Sequence, residues 1–190
     1  MSELRDLIVA LPPGTLSRPQ AFHHLVYNAF MDGAADRSFL FKGFRLAEEL
    51  AVIRARRFSG AHAALARPIV YDSATDAYDF HLTASPQYRD TASGKLKLFP
   101  AETDNAQRLA WLARKAQTCG FVLDGDVACE RQLKRVPQKG KLIIDHCEFS
   151  GRLTVTDHTA FRHALEHGIG PRGAYGYGLL TLYSLPDTDA

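Results

Sequence analysis

The chain has 190 residues, 46% of them hydrophobic, and a formal net charge of +2 at pH 7. That is enough for one larger domain or two small ones with their own cores, and too little charge for a surface basic all over, so a nucleic-acid footprint would have to be local. Three cysteines, Cys119, Cys129 and Cys147, are an odd number without C-x-x-C spacing, which argues against a disulfide framework or a zinc site and for a reducing compartment.

Glu3 and Asp6 lead into a short apolar run at residues 7–11. Neither a signal peptide nor a membrane span is expected, and the expected location is the cytoplasm. The run, stopped by Pro12-Pro13-Gly14, predicts a buried first strand. Ser17 and Gln20 stand three apart as in a capping box, with Pro19 in the first turn. Phe22, Leu25, Val26, Ala29 and Phe30 then recur at helical spacing as far as Asp32-Gly33. At about 100° per residue, His23 falls at the edge of this stripe with Tyr27 one turn on, while His24 faces solvent. A half-sheltered imidazole can titrate near neutrality in a fixed orientation, as general acid–base chemistry needs; a histidine that merely borders the core is the other reading.

Residues 39–45 and 50–56 predict two strands, the second carrying Arg54, Arg56 and, at its end, Arg57, and residues 61–66 a short helix. The polar residues 71–77 predict a domain boundary, giving units of 1–75 and 76–190. The second unit opens on residues 78–84, where Tyr78, Phe80 and Leu82 alternate with Asp79, His81 and Thr83 as in a half-buried strand. Residues 86–94 read as loop. Over 104–117 the spacing predicts a helix with Leu109, Leu112, Ala113 and Ala116 inward. Arg108, Trp111, Arg114 and Lys115 lie on its outer side, where a tryptophan among cations suits a phosphate backbone and a base; a solvated charged face is equally compatible. Arg131, Lys134, Arg135, Lys139 and Lys141 follow with no acid between them. Pro137-Gln138-Lys139-Gly140 can turn the chain, so these charges are expected on a hairpin with residues 142–149 as second arm, able to bind phosphates along a groove. Ser150-Gly151 reads as another turn, 152–156 as a returning strand, and Asp157 as the cap of a last helix.

Next comes Gly168-Ile169-Gly170-Pro171-Arg172-Gly173-Ala174-Tyr175-Gly176-Tyr177-Gly178, whose glycines allow positive φ and close approach of a ligand, with amides able to face phosphate. A helix C-cap at Gly168 followed by a turn is the plain alternative. The G-x-G-x-x-G spelling is no dinucleotide fingerprint, because a helix precedes it and a strand follows. His163-Ala164-Leu165-Glu166-His167 spells H-x-x-E-H, but the helix ends at once and no third ligand helix follows, so no metal site is expected. His81-Leu82-Thr83 lacks the second H-x-T of the two-histidine phosphoesterases. The element order gives an α+β fold that uses the split βαβ, ferredoxin-like plan twice, each sheet with helices on one face and the other free for a ligand.

Several of these segments together resemble the CasE family, the CRISPR-associated endoribonuclease of the type I-E Cascade system. Phe149-Ser150-Gly151-Arg152-Leu153 and the glycine run through Leu179-Leu180 resemble its F-E-G-x-L and glycine-loop signature, with Ser150 in place of glutamate. Ala110-Trp111-Leu112-Ala113-Arg114-Lys115 resembles its A-W-L-x-R-[KR] helix, and Arg37-Ser38-Phe39-Leu40-Phe41 its [RD]-x-F-L-F strand. In the family the catalytic histidine lies seven residues before the apolar position that Phe30 occupies here, and that residue is His23. The resemblance implies two tandem ferredoxin-like (RRM-like) domains that hold the hairpin of CRISPR repeat RNA, precursor and mature, beside other Cascade-type subunits and without cofactor, metal or membrane. It implies cleavage by attack of the ribose 2′-hydroxyl on the adjacent phosphorus, leaving a cyclic phosphate and a 5′-hydroxyl, with His23 as base or as acid on the leaving oxygen. Some relatives carry a tyrosine one turn before the histidine; here Gln20 stands there, which leaves Tyr27 or Lys141 for the stabilising role. The candidate RNA contacts are Arg108, Trp111, Lys115, Arg131, Lys134, Arg135, Lys139, Gly170, Arg172, Gly173 and Gly176. The alternative is a guide-RNA hairpin-binding subunit that cuts slowly or not at all.

Overall fold

The computed structural model describes residues 3–30, 39–56, 58, 62–100, 103–136 and 142–184. The first unit runs β1 (Arg5–Ala10), α1 (Pro19–Phe30), β2 (Phe39–Arg45), β3 (Glu49–Ala55), the one-turn α2 (His62–Leu65) and the two-residue β4 (Arg67–Pro68). Its strands pair antiparallel in the order β2-β3-β1-β4. The second unit begins with β5 (Ala77–Ala84) and a small hairpin of β6 (Gln87–Arg89) and β7 (Leu96–Leu98), where the sequence predicted only loop because three-residue strands are too short to show alternation. It continues with α3 (Asn105–Thr118), β8 (Phe121–Val136), β9 (Leu142–Val155), α4 (His158–His167) and β10 (Leu180–Tyr183), and its sheet order is β10-β5-β9-β8. With the four sheet strands of each unit numbered from its own start, both sheets read 4-1-3-2, so the chain is two tandem ferredoxin-like units.

Alternation along the strands builds both cores. Leu7, Phe41, Ala51 and Ile53 meet Phe22 and Val26 of α1. Tyr78, Phe80, Phe149 and Leu153 meet Leu112 and Ala116 of α3 and Phe161 and Leu165 of α4. The later helices are capped as their sequences require. Asp104 accepts from the Gln107 amide at 3.3 Å, Asp157 from the amides of Thr159 and Ala160, and Gly168 ends α4 at φ 81°.

Three expectations are corrected. The Ser17 hydroxyl donates to the Gly14 carbonyl at 2.7 Å and does not close a capping box. β9 runs straight through Ser150-Gly151. Its partner β8 is irregular between Asp124 and Ala128, and the irregularity backs onto Gly151, where a Cβ would lie 3.0 Å from Val127 Cγ2. The glycine thus makes room for a bulge, not a turn. Nor are both open sheet faces free. Arg54 of β3, 2% exposed, grips Asp6 through Nε and Nη2 at 2.7 and 2.8 Å and donates Nη1 to the Leu180 carbonyl at 2.6 Å. Arg56 pairs with Glu166 of α4. The N-terminal sheet is therefore tied to β10 and α4 of the second unit. Among the described residues no helix is long and apolar enough to cross a membrane.

Candidate nucleic-acid interface

Three segments that the sequence singled out separately meet around one cleft of ≈ 380 Å³ between the units. Its wall takes Ser17 and Phe22 from around the start of α1, Lys134 from β8, His146 from β9, and Tyr175, Gly176 and Tyr177 from the glycine run. His23 follows Phe22 directly. It is half-buried, with Nδ1 shut off from solvent and its ring centroid 5.9 Å from Phe41 and 6.2 Å from Tyr27, whereas His24 is exposed. Phe41 also borders the glycine run, since a Cβ on Gly176 would sit 3.4 Å from its ring. One aromatic side chain of β2 thus lies against both the histidine and the loop.

Within the run, Gly173–Tyr175 forms a 3₁₀ turn between two left-handed residues, Arg172 at φ 76° and Gly176 at φ 82°. Arg172 is the one non-glycine residue with positive φ among those described, and its Nε is buried without a hydrogen-bond partner. Backbone strain beside an orphaned donor is characteristic of a ligand-binding loop. The return of the run is pinned by the Gly178 amide on the Thr83 carbonyl at 2.8 Å. Two glycines differ from expectation. Gly170, at φ 84°, leaves space for Trp111, whose indole would lie 2.9 Å from a Cβ there. Gly173 lies outside the positive-φ region, and a Cβ at that position would meet nothing within 4 Å, so no contact among the described residues requires a glycine there.

The expected cationic face of α3 divides: Arg114 is exposed, whereas Arg108 and Trp111 are interior. Arg108 is 0% exposed, its Nε 3.0 Å from Asp145 and its guanidinium against the carbonyls of Pro100, Thr103 and Asp104 and 5.7 Å over the Phe99 ring. Trp111 is 4% exposed and stacks on Phe149. Both belong to the core: with Leu112 and Ala116 they form one stripe at i, i+3, i+4 and i+8 that faces the sheet, and Arg108 is further covered by Phe99, Pro100 and Thr103. Arg131 donates Nε to the other oxygen of Asp145 at 2.7 Å, which makes it the outer member of the same cluster. Lys115 is half-buried on the last turn of α3. Lys134 and Arg135 stand on β8 opposite Ile144 and Ile143, and Lys134 is exposed. The Arg135 side chain, Lys139 and Lys141 lie outside the described residues.

Sequence reasoning missed a polar chain across the units. Lys42 Nζ of β2 lies 2.6 Å from His81 Nδ1; His81 Nε2 is 3.6 Å from Glu148; His146 Nε2 is 2.9 Å from Glu148; and His146 Nδ1 is 3.1 Å from the Tyr177 hydroxyl. An ammonium only donates and a carboxylate only accepts, so both imidazoles are Nε2–H tautomers and Tyr177 donates to His146. Burial pushes Lys42 down to about 8, against the pull of Glu148. Burial also lowers His81 and His146, helped by the charges of Lys42 and Lys134 respectively. Burial would raise Glu148, but the His146 hydrogen bond and the surrounding charges outweigh it and hold the carboxyl low. The available signal was alternation, which puts His81 with Thr83, and His146 with Glu148, on the sides of β5 and β9 away from the helices. The H-x-x-E-H residues do something else. His163 and His167 stack at 4.0 Å, and Glu166 turns to Arg56 and Arg162. Among the described residues no three His, Cys, Asp or Glu side chains are grouped to hold a metal ion.

This tandem ferredoxin-like architecture is shared with solved structures. Thermus thermophilus Cse3, bound to an RNA representing a pre-cleavage complex, superposes with a TM-score of 0.78 at 20% identity, covering 96% of this chain and 100% of that one. The CRISPR-associated protein Cas6e from Escherichia coli str. K-12 gives a TM-score of 0.68 at 22% identity, covering 96% and 99%. In sequence, the CRISPR-associated endoribonuclease Cse3 of Thermus thermophilus is 34% identical over 116 residues, which is 54% of this chain and 54% of that relative, so the match spans about half the length of each. Residues 10–183 match the model of the family described as CRISPR associated protein, and the chain belongs to that family.

Proposed function

We propose that the protein is an endoribonuclease that cuts precursor CRISPR RNA at the repeat hairpin and stays on the product as a subunit of a Cascade-type complex. The observation that carries this reading is the convergence of the His23 helix, the basic arm and the strained glycine run on one cleft. The sequence relative's name, an endoribonuclease, agrees with it. Residues 1–75 supply the histidine, and residues 76–190 the cations and the loop. In this reading the ribose 2′-hydroxyl attacks the neighbouring phosphorus; His23 takes its proton or gives one to the departing 5′-oxygen, and a cyclic phosphate remains. Tyr27 beside His23, or Lys141, steadies the charge that develops. Lys115, Arg131, Lys134, Arg135 and Lys139 neutralise backbone phosphates, while Gly170, Arg172, Gly173 and Gly176 shape the loop against the RNA.

The internal nucleophile makes a metal unnecessary. Cleavage of the cognate repeat RNA is therefore expected to persist in excess EDTA, to stop when the cut-site ribose is replaced by deoxyribose, and to leave a product whose mass is that of a cyclic phosphate. Loss in EDTA with recovery on adding magnesium or zinc would overturn the mechanism. A hairpin-holding subunit that cuts slowly or not at all is the second reading, favoured by the exposed Gln20 where some relatives carry tyrosine. Tight hairpin binding without cleavage under the same conditions would select it.

A further inference from the structure

We propose that the cleft between the units takes one unpaired nucleotide of the strand flanking the bound hairpin, its base stacked on Tyr175 and its phosphate against Lys134, a site that rests on the RNA-hairpin reading above. A volume of ≈ 380 Å³ suits a single small ligand and is far too small for a duplex. Tyr175 is half-buried and packs on Ile144 and Tyr177, so its ring is held in place, and a fixed aromatic ring stacks any base with little regard to sequence. Gln132, exposed on β8 opposite His146, brings an amide that both donates and accepts, as reading an unstacked base edge requires. His146 cannot be that reader, because Tyr177 and Glu148 occupy both ring nitrogens.

Two further features show a wall built for a polar, anionic guest. Thr83, on the lining of the cleft, is 4% exposed and its hydroxyl has no hydrogen-bond partner, a deficit that a polar guest can relieve. Lys42 behind the wall is offset by Glu148 and Glu130, and Lys134 is the cation on the lining of the cleft itself. A phosphate at the cleft would pair with the Lys134 ammonium in a charge-assisted hydrogen bond. Lys134 also belongs to the basic arm, so a strand leaving a hairpin held by that arm reaches the cleft directly.

The test compares the cognate repeat hairpin alone with the same hairpin carrying six single-stranded nucleotides on either side, with 2-aminopurine placed at each flanking position in turn. We expect the flank to tighten binding roughly tenfold, in line with the worth of stacking one base, and one position to lose most of its fluorescence. Tyr175→Ala should abolish the gain and the quenching while binding of the bare hairpin stays unchanged. Gln132→Trp, which fills the cleft from an exposed strand position without touching the core, should do the same. If the hairpin binds but the flank adds nothing and stays bright, or the quenching survives both variants, the cleft site is wrong and the hairpin reading stands. If neither RNA binds, both fall.

Discussion

α1 and α3 are the same element in two copies of one plan, yet they expose different amounts of themselves. α1 packs its stripe on β1–β3 and leaves the next strip of surface, His23 and Tyr27, half open beside the glycine run. α3 packs on β5, β8 and β9 with Arg108 and Trp111 in the same buried stripe as Leu112 and Ala116, Trp111 stacked on Phe149 and Arg108 held by the carbonyls of Pro100, Thr103 and Asp104. In the proposed function the half-open α1 does the chemistry and α3 serves as a strut. The positive charges divide in the same way. Arg108 and Arg131 close on Asp145 at the root of the β8–β9 arm, and Lys134 further along the arm is exposed.

That division is open to direct attack. Arg108→Met leaves buried Asp145 with Arg131 as its remaining partner, and removing one member of a buried charged cluster costs about 3–5 kcal/mol. Urea unfolding should show a loss of that order, with RNA affinity and its salt dependence unchanged in the protein that remains folded. A changed salt slope would mean that Arg108 reaches the RNA after all. Replacing Lys134, Arg135 and Lys139 with alanine should do the reverse, flattening the log–log dependence of affinity on salt by roughly two to three while stability holds. An unchanged slope would move the RNA off this arm.

The smallest effect concerns the polar chain. His81 and His146 have lowered pKa values in the folded protein, so as pH falls through the ordinary histidine value near 6.5 the unfolded chain takes up protons first. Stability is therefore full above that pH and lost progressively below it. The thermal midpoint should drop between pH 7 and pH 5, and drop less in the double variant His81→Gln and His146→Gln. Equal drops would show that other groups set the acid limit.

The fold was legible because strand alternation and helical spacing are local, and the same plan recurs in both units. The face of His23 was legible for the same reason. Arg108 and Trp111 were misread because residue type outweighed spacing: at i and i+3 they share the stripe of Leu112 and Ala116, and what lets an arginine sit there is Asp145 of β9 and the carbonyls of Pro100 and Thr103, which no spacing within the helix reveals. The bulge at Gly151 and the chain from Lys42 to Tyr177 depend on which strands become neighbours and on how two units meet; no spacing within one segment encodes either.

Single-turnover cleavage of the cognate repeat RNA by His23→Ala and His24→Ala, with hairpin affinity measured on the same proteins, tests most directly the claim that the half-sheltered histidine of α1 does the chemistry. His23→Ala should cut roughly 10²- to 10⁴-fold more slowly at unchanged affinity, and His24→Ala should cut at close to the wild-type rate. A dispensable His23, or an essential His24, would contradict it.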